Sequence, residues 1–302
     1  MERDLTTRIF DRIIPPEHLE QQKDLEAFVE YMNRKAETIG MSQSHFEDAA
    51  GMHNLSTARD LLRLAVYAKE YPVLNAVWCE NAYTVTVEGP QPRTKECAAK
   101  SQHPDLNDHY RVLGRKGGTL MCSRKNLFVY NLVSFLEIPG SADKLAVVVM
   151  YAPGNRQSAN NCFAATRQVA DIAMKKYIDP EGDISDMPVC CENAIAAVLP
   201  ADGICYEDLR ILYEKDADAK GRPMSISKVL TAVCVLDWVE DLQEKIEYHE
   251  LDTNIGGFYV NDFQPGDRMT YADALYAMML ESSNVTAQAL ARCVGNSIRK
   301  KQ

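Results

Sequence analysis

The sequence predicts an α+β protein, in which an antiparallel β-sheet is flanked by helices and joined to a helical lobe, because strand and helix patterns fall in separate blocks. Long apolar runs at residues 127–138 and 144–151, separated by a Pro-Gly turn at 139–142, predict two neighbouring antiparallel strands. Apolar residues three and four positions apart at 25–39 and 229–239 instead predict helices with one buried face.

Length and composition describe an ordinary globular protein. The 302 residues can bury a complete core, as one large domain or two modest ones. The net charge of −10 argues against a nucleic-acid partner, and no apolar run is long enough to span a bilayer. The nine cysteines include no Cys-x-x-Cys pair and define neither a disulfide framework nor a zinc site. We therefore expect no metal and no cofactor.

In the first half of the chain, helices precede the strand block. Residues 1–23 are charged, contain Pro15-Pro16 and predict a flexible arm. The assignments that follow are a helix at 23–39 closed by Gly40, a loop at 41–55, a helix capped by Ser56 and ended by Tyr71-Pro72, a strand at 82–87 and a polar loop at 89–109.

The second half returns to helices after one more strand pair. Its predicted elements are a helix at 158–177, an acidic linker, a β-hairpin with strands at 194–199 and 204–213, a helix from 225, a strand at 257–262, a Pro265-Gly266 turn, a helix capped by Thr270, and a last helix ending near Gly295. Lys300 and Lys301 predict a solvated tail.

Ser225 and Lys228 stand at the start of the most regular helix pattern, just after Pro223. Residues three apart project from the same side of a helix, so the two side chains are expected to meet. A helix N-terminus disfavours an ammonium, and a neutral lysine is a suitable base for a serine nucleophile. The alternative is a simple serine cap, and Ser141 to Lys144 repeats the spacing within a turn.

Two further short motifs accompany this pair. Ser282-Ser283-Asn284 and Lys116-Gly117-Gly118 look like the Ser-x-Asn and Lys-Thr-Gly elements of penicillin-binding proteins and serine β-lactamases, in which Ser-x-x-Lys holds the nucleophile. Ser158-Ala159-Asn160 is a second Ser-x-Asn match, so the flanking sequences decide. The residues around 223–232, 265–284 and 51–60 resemble those of serine-type D-alanyl-D-alanine carboxypeptidases, and the likeness covers most of residues 24–295.

The motif order differs from that family, because the Lys-Thr-Gly-like half comes first. Joining Gln302 to Met1 would restore the family's order, so the chain resembles a circular permutant of the β-lactamase/transpeptidase-like fold. Residues 24–177 would be the family's C-terminal half and 194–302 its N-terminal half, with 178–193 as the linker. We expect the two halves to form one catalytic domain.

The resemblance implies acyl transfer. Ser225 would attack a D-Ala-D-Ala peptide bond, Lys228 would take its proton, Ser282 would relay a proton to the leaving amine, and Asn284 would hold Lys228 and the substrate. Lys116 would attract the substrate carboxylate and help to keep Lys228 neutral. The substrate and oxyanion groups would come from Gly117, Gly118 and Thr119, with the N–H groups of Ser225 and Thr119 as oxyanion donors.

One residue departs from the family motif. Gly117 occupies the position of the threonine whose hydroxyl would bind the substrate carboxylate, and Thr119 is a candidate substitute. Glu47 and Asp48 are interpreted as solvated loop acids, and His53 as structural.

The implied function is a D-Ala-D-Ala carboxypeptidase that acts on peptidoglycan stem peptides and is acylated by penicillin and other β-lactams. The alternatives are a β-lactamase or esterase on the same scaffold, or a weakened homologue that only binds peptides. Family resemblance implies an extracytoplasmic location, although the first residues contain no signal peptide. The oligomeric state stays open.

Overall fold

The computed structural model describes residues 18–100, 104–122, 127–154, 161–201, 206–253 and 263–301. Four predictions lie wholly or partly outside these ranges: most of the arm at 1–23, the Ser158-Ala159-Asn160 motif, the strand at 257–262, and the hairpin around residues 202–205, where its turn meets its second strand.

The helices and strands are numbered along the chain. The helices are α1 (Leu19–Thr38), α2 (Ala58–Ala68), α3 (Pro72–Cys79), α4 (Pro104–Asn107), α5 (Asn161–Ile178), α6 (Lys228–Leu236), α7 (Glu250–Thr253), α8 (Tyr271–Leu280) and α9 (Asn284–Lys301). The strands are β1 (Ala82–Val87), β2 (Arg93–Ala98), β3 (Val112–Cys122), β4 (Leu127–Glu137), β5 (Lys144–Gly154), β6 (Asn193–Leu199), β7 (Arg210–Lys215), β8 (Lys245–Glu247) and β9 (Arg268–Thr270).

A five-stranded antiparallel sheet lies at the centre, and its strands follow one another in chain order from β3 to β7. Helix α5 joins β5 to β6 and packs against one face of the sheet, where apolar side chains such as Leu132 and Val147 are buried. The opposite face, with Val133 and Phe135, belongs to the core that it shares with the helical lobe. The predicted α+β class with an antiparallel sheet is confirmed.

The helical lobe surrounds α6, which is in contact with α1, α2, α8 and α9. Helices α1 and α9 pack antiparallel, with Arg299 near the end of α9 bonded to Glu20 and Asp24 near the start of α1. A Cβ placed on Gly295 would lie 1.8 Å from the Asp24 carbonyl oxygen, so only glycine permits this approach. Within the described ranges, no helix combines the length and apolarity needed to cross a membrane.

Several predicted boundaries are wrong for identifiable reasons. The last helix does not end near Gly295 but runs to Lys301, because this glycine serves close helix packing rather than a helix stop. Lys300 and Lys301 are therefore helical. Pro72 begins α3 instead of only ending the helix before it, since proline is well tolerated in a first turn.

Two other assignments change in detail. The stretch at 89–109 contains β2 and α4 rather than a continuous polar loop. Thr57, rather than Ser56, caps α2, because its side chain accepts the N–H of Asp60. The predicted cap of α8 is confirmed, since Thr270 accepts the N–H of Asp273 in the same way.

Candidate active site

The segment that carries Ser225 is a single turn of 3-10 helix, Met224–Ser227, which leads directly into α6. In a 3-10 turn, side chains three residues apart lie above one another. Lys228 Nζ accordingly lies 2.9 Å from Ser225 Oγ. Ser225 is half-buried, whereas Lys228 is completely buried. The contact expected from the spacing is present in the structure.

Three oxygen atoms surround the amine of Lys228. Besides Ser225 Oγ, the amine donates to Asn284 Oδ1 at 2.6 Å and to the Ala50 carbonyl oxygen at 2.6 Å. An ammonium has three N–H donors, so every proton of the charged form has an acceptor. A neutral amine can keep two of these bonds and use its lone pair to accept the serine proton.

Burial lowers the pKa of Lys228 to about 7, which is far below the ordinary lysine value. The negative charge of Asp48 opposes this shift, and the positive charge of Lys100 adds to it. A base with a pKa near 7 is substantially neutral at neutral pH and can still bind a proton during the reaction.

A second buried amine, Lys116 on β3, faces the Ser-x-Asn turn. Its Nζ donates to Ser282 Oγ and to the Gly117 carbonyl oxygen, both at 2.9 Å. Burial, and then the charge of Lys228, hold the pKa of Lys116 well below its usual value. Electrostatic coupling of two amines is mutual, so the site favours one ammonium over two. The specific role predicted for Lys116 in keeping Lys228 neutral stays a prediction.

The Ser-x-Asn motif forms the turn between α8 and α9. Ser282 has a φ of +63°, a left-handed conformation that is uncommon for residues other than glycine. Ser283 caps α9 by accepting the N–H of Thr286, and Asn284 is the first residue of that helix. The turn thereby directs Ser282 to Lys116 and Asn284 to Lys228.

Two glycines pack closely against Met224, the residue before Ser225. A Cβ on Gly118 would lie 2.8 Å from both Met224 Cβ and the Pro223 carbonyl oxygen, and 3.0 Å from the Ser225 nitrogen. A Cβ on Gly51, whose φ is +95°, would lie 2.0 Å from the Met224 carbonyl oxygen. Strand β3 and the loop that holds Gly51 can therefore approach Ser225 only because both residues lack side chains.

The sequence model of the D-alanyl-D-alanine carboxypeptidase family matches residues 23–134 and 204–300, which together make up more than half of the chain. The chain belongs to this family. It is 44% identical over 50 residues to a D-alanyl-D-alanine endopeptidase of Escherichia coli (strain K12) and 47% identical over 51 residues to one of Pseudomonas aeruginosa (strain PAO1). Each match covers 16% of this chain and 16% of the relative, and no solved structure matches.

This member of the D-alanyl-D-alanine carboxypeptidase family contains one site residue whose role the sequence did not reveal. Asp48 is not a solvated loop acid, because its carboxylate accepts the backbone N–H groups of Ala50, Gly51, Met52 and His53. These bonds shape the loop that offers the Ala50 carbonyl oxygen to Lys228. The available signal was an aspartate followed by Ala-Ala-Gly, since aspartate often bonds backbone N–H groups just ahead of it. Glu47, in contrast, is exposed.

The second Ser-x-x-Lys copy does not resemble this site. Ser141 lies in the turn between β4 and β5, where its Oγ accepts the N–H of Asp143. Lys144 is the half-buried first residue of β5, and its Nζ donates to the Ala142 carbonyl oxygen. The simple interpretation as a polar turn applies to this copy.

Strand β3 carries the residues that are predicted to bind the substrate. Thr119 is exposed and pairs with Tyr130 of β4, and Gly117 provides no hydroxyl. Lys100 is also exposed, and its backbone N–H donates to the Leu280 carbonyl oxygen at the end of α8, two residues before Ser282. Its charge contributes to the lowered pKa of both Lys116 and Lys228, so it lies at the margin of the same site.

Proposed function

We propose that this chain is a serine acyl-transfer hydrolase, a D-Ala-D-Ala carboxypeptidase that acts on peptidoglycan stem peptides outside the cytoplasm. The observation that carries the proposal is the completely buried Lys228, whose amine lies 2.9 Å from Ser225 Oγ and whose pKa is lowered to about 7. This pair can generate a serine nucleophile at neutral pH. Membership of the family makes a D-Ala-D-Ala peptide the natural choice of substrate.

Acylation begins when Ser225 Oγ attacks the carbonyl carbon of the bond between the two D-alanines. Lys228 Nζ takes the hydroxyl proton as the new C–O bond forms. The C–N bond then breaks, and the leaving amine takes a proton from Ser282, which Lys116 holds by a hydrogen bond. The proton that Lys228 took from Ser225 replaces it on Ser282, so Lys228 is neutral again. The products of this half-reaction are an acyl-Ser225 ester and a free D-alanine.

Deacylation is the same chemistry with water in place of the amine. A water molecule gives a proton to the neutral Lys228 and attacks the ester carbon. The ester bond to Ser225 then breaks, and Ser225 recovers its hydroxyl proton from Lys228. In both half-reactions, the N–H groups of Ser225 and Thr119 would stabilise the oxyanion. One such donor contributes about 3 kcal/mol in other serine hydrolases.

Recognition of the substrate carboxylate would depend on charge. Gly117 removes a hydroxyl contact, and a hydrogen bond to a charged group contributes about 1.5–3 kcal/mol. The exposed Lys100 at the margin would supply positive potential in its place, and Lys116, although its pKa is held low, would add to it when protonated. Thr119, which is exposed on β3 two residues after Gly117, carries the hydroxyl nearest to that position along the strand.

A second candidate function is cleavage within a peptide chain rather than at its end. It is supported by the two relatives that are named D-alanyl-D-alanine endopeptidases. An internal bond has no free carboxylate beside it, so the hydroxyl that Gly117 lacks would not be needed. The acyl transfer to Ser225 is the same for both functions.

The decisive experiment is intact-protein mass after incubation with a penicillin, followed by peptide mapping of the adduct. We expect one acyl adduct on Ser225 in the parent protein and none in Ser225→Ala. An unmodified parent with intact penicillin would contradict the proposal and favour a binding-only homologue. An unmodified parent with hydrolysed penicillin would favour a β-lactamase.

Two synthetic peptides separate the candidate peptidases. One ends in D-Ala-D-Ala with a free carboxylate, and the other continues beyond the second D-alanine. Release of D-alanine from the first peptide alone supports the carboxypeptidase. Cleavage of the second peptide alone supports the endopeptidase.

A further inference from the structure

Two side chains of the sheet hold the backbone of Arg222, three residues before Ser225. Asn131 Nδ2 donates to the Arg222 carbonyl oxygen at 2.8 Å, and the Arg222 N–H donates to Tyr151 Oη at 2.6 Å. The N–H of Tyr151 in turn donates to Asn131 Oδ1 at 2.9 Å. Both backbone polar groups of Arg222 are thus fixed by the side chains of two residues, and the backbone of Tyr151 is itself bonded to the side chain of Asn131.

An irregularity in the sheet creates this arrangement. The pairing of β4 with β5 shifts register between Tyr130 and Leu132, and Asn131 lies at that shift. Tyr151 on β5 has a φ of +57°, a left-handed conformation that is disfavoured for tyrosine. Bulges of this kind redirect side chains and occur often beside active sites. Asn131 on β4 also pairs with Gly118 on β3, the glycine that packs closely against Met224.

The chain that follows Arg222 is itself strained. Met224 has a φ of +53°, and it immediately precedes the nucleophile. A disfavoured backbone conformation persists only where the surrounding structure holds it. On its C-terminal side, Met224 is followed by the turn that enters α6. On its N-terminal side, Gly221 exchanges two backbone hydrogen bonds with Ser56, and Asn131 and Tyr151 hold Arg222.

The space around Gly221 shows how closely Tyr151 approaches this segment. A Cβ on Gly221 would lie 2.3 Å from Tyr151 Cε2 and 3.1 Å from its Oη. The tyrosine ring therefore lies directly against the backbone that it bonds.

We infer that Asn131 and Tyr151 are positioning residues for the nucleophile: by fixing Arg222, they keep Ser225 Oγ within hydrogen-bond distance of Lys228 Nζ. This inference rests on the proposed acyl-transfer function. Neither side chain takes part in the chemistry, and each acts through the backbone of residues 222–224. Small misplacements of reacting groups can cost about a hundredfold in rate, so the effect on turnover is expected to exceed the effect on binding.

The test is Tyr151→Phe, which keeps the ring and removes only the oxygen that accepts the Arg222 N–H. We expect kcat for the D-Ala-D-Ala peptide and the rate of Ser225 acylation to fall roughly ten- to hundredfold. KM should change little, because the Tyr151 hydroxyl bonds the backbone of Arg222, which is not among the groups proposed to bind the substrate. Asn131→Asp is the second variant: it keeps the acceptor for Tyr151 and loses the donor to Arg222.

Tyr110→Phe is the matched control. It removes another tyrosine hydrogen bond, from Tyr110 Oη to Asp171 Oδ1, on the side of the sheet that α5 covers. This control should keep the parental kcat. Parental kcat in both Tyr151→Phe and Asn131→Asp, measured below their unfolding midpoints, would overturn the inference.

A second measurement does not depend on turnover. Backbone hydrogen exchange at residues 222–227 should become faster in Tyr151→Phe than in Tyr110→Phe, because Arg222 is no longer held. Unchanged exchange in this segment overturns the inference even if the parent protein proves inactive. An inactive parent with the expected change in exchange would instead contradict the proposed function and support the positioning of the segment.

Discussion

In the proposed acyl transfer, the side chain of Lys228 must be neutral to accept the proton of Ser225, and its burial favours the neutral form. Since burial lowers its pKa to about 7, the amine is mostly protonated below that pH and mostly neutral above it. We therefore expect the rate of Ser225 acylation to rise with pH along a limb with an apparent pKa near 7. The measurement is the acylation rate constant with a penicillin between pH 5 and pH 9, a range of about two units on either side.

Lys100 offers a check on the assignment of that limb. Its positive charge contributes to the lowered pKa of Lys228, so Lys100→Ala should move the limb to higher pH. Lys144→Ala removes a lysine at the start of β5 that is not among the charges acting on Lys228, so it should leave the limb in place. A limb that does not move in Lys100→Ala, or that moves equally in both variants, would assign the titration to a different group.

At the scale of elements, the packing of α1 on α9 depends on one residue. A Cβ on Gly295 would meet the Asp24 carbonyl oxygen at 1.8 Å, so Gly295→Ala must push the two helices apart. Overpacking of this kind costs about 1–3 kcal/mol, which exceeds the helix-propensity gain of about 1 kcal/mol from replacing glycine by alanine. We expect a lower midpoint of thermal unfolding, measured by circular dichroism.

Ser297→Ala is the control for this prediction, because Ser297 is exposed on the same helix. It should leave the midpoint nearly unchanged. An equal or higher midpoint in Gly295→Ala would show that α1 and α9 can separate without cost.

Elements were predictable from sequence where a local signal decided their structure. Thr270 caps α8 as expected, because a cap needs only its own side chain and a backbone N–H three residues ahead. Gly295 misled because glycine commonly ends helices, whereas here it serves contact with a helix distant in sequence. Strand β2 was missed because it is largely polar, with Cys97 as its one buried residue.

In the site, too, local contacts could be predicted from sequence and contacts between distant residues could not. The Ser225–Lys228 contact is local and followed from spacing alone, and the partner Asn284 followed from the family motif. Asp48 and Tyr151 were not recognised as parts of the site, because each acts on backbone groups rather than through a motif. The bond of Tyr151 to Arg222 joins residues 71 positions apart, and such a pairing becomes visible only in the fold.

At the scale of the whole molecule, the order of the two halves is the unusual feature. The sheet runs in chain order, and β6 and β7 join its edge at β5 after α5 and the exposed stretch at 179–186. The end of α9 lies beside the start of α1, where Arg299 bonds Glu20. This proximity suits a circular permutation of the family order, in which α9 would precede α1 along the chain, because the two helices meet at these ends. The permutation and the assignment of the two halves stay predictions.

A chain rearranged into the family order tests the permutation directly. It would start at Asp183, continue through Gln302 directly to Met1 and end at Gly182, so that every residue is kept. Because this opening lies in an exposed stretch and the end of α9 lies beside the start of α1, we expect the unfolding midpoint and the Ser225 acylation rate of the parent. A second rearranged chain opened within α6, between Thr231 and Ala232, should fail to fold, because both residues are completely buried there. Failure of the first chain as well would mean that the present order of the halves is needed for folding, and that the likeness to a permuted family member does not extend to how the molecule is assembled.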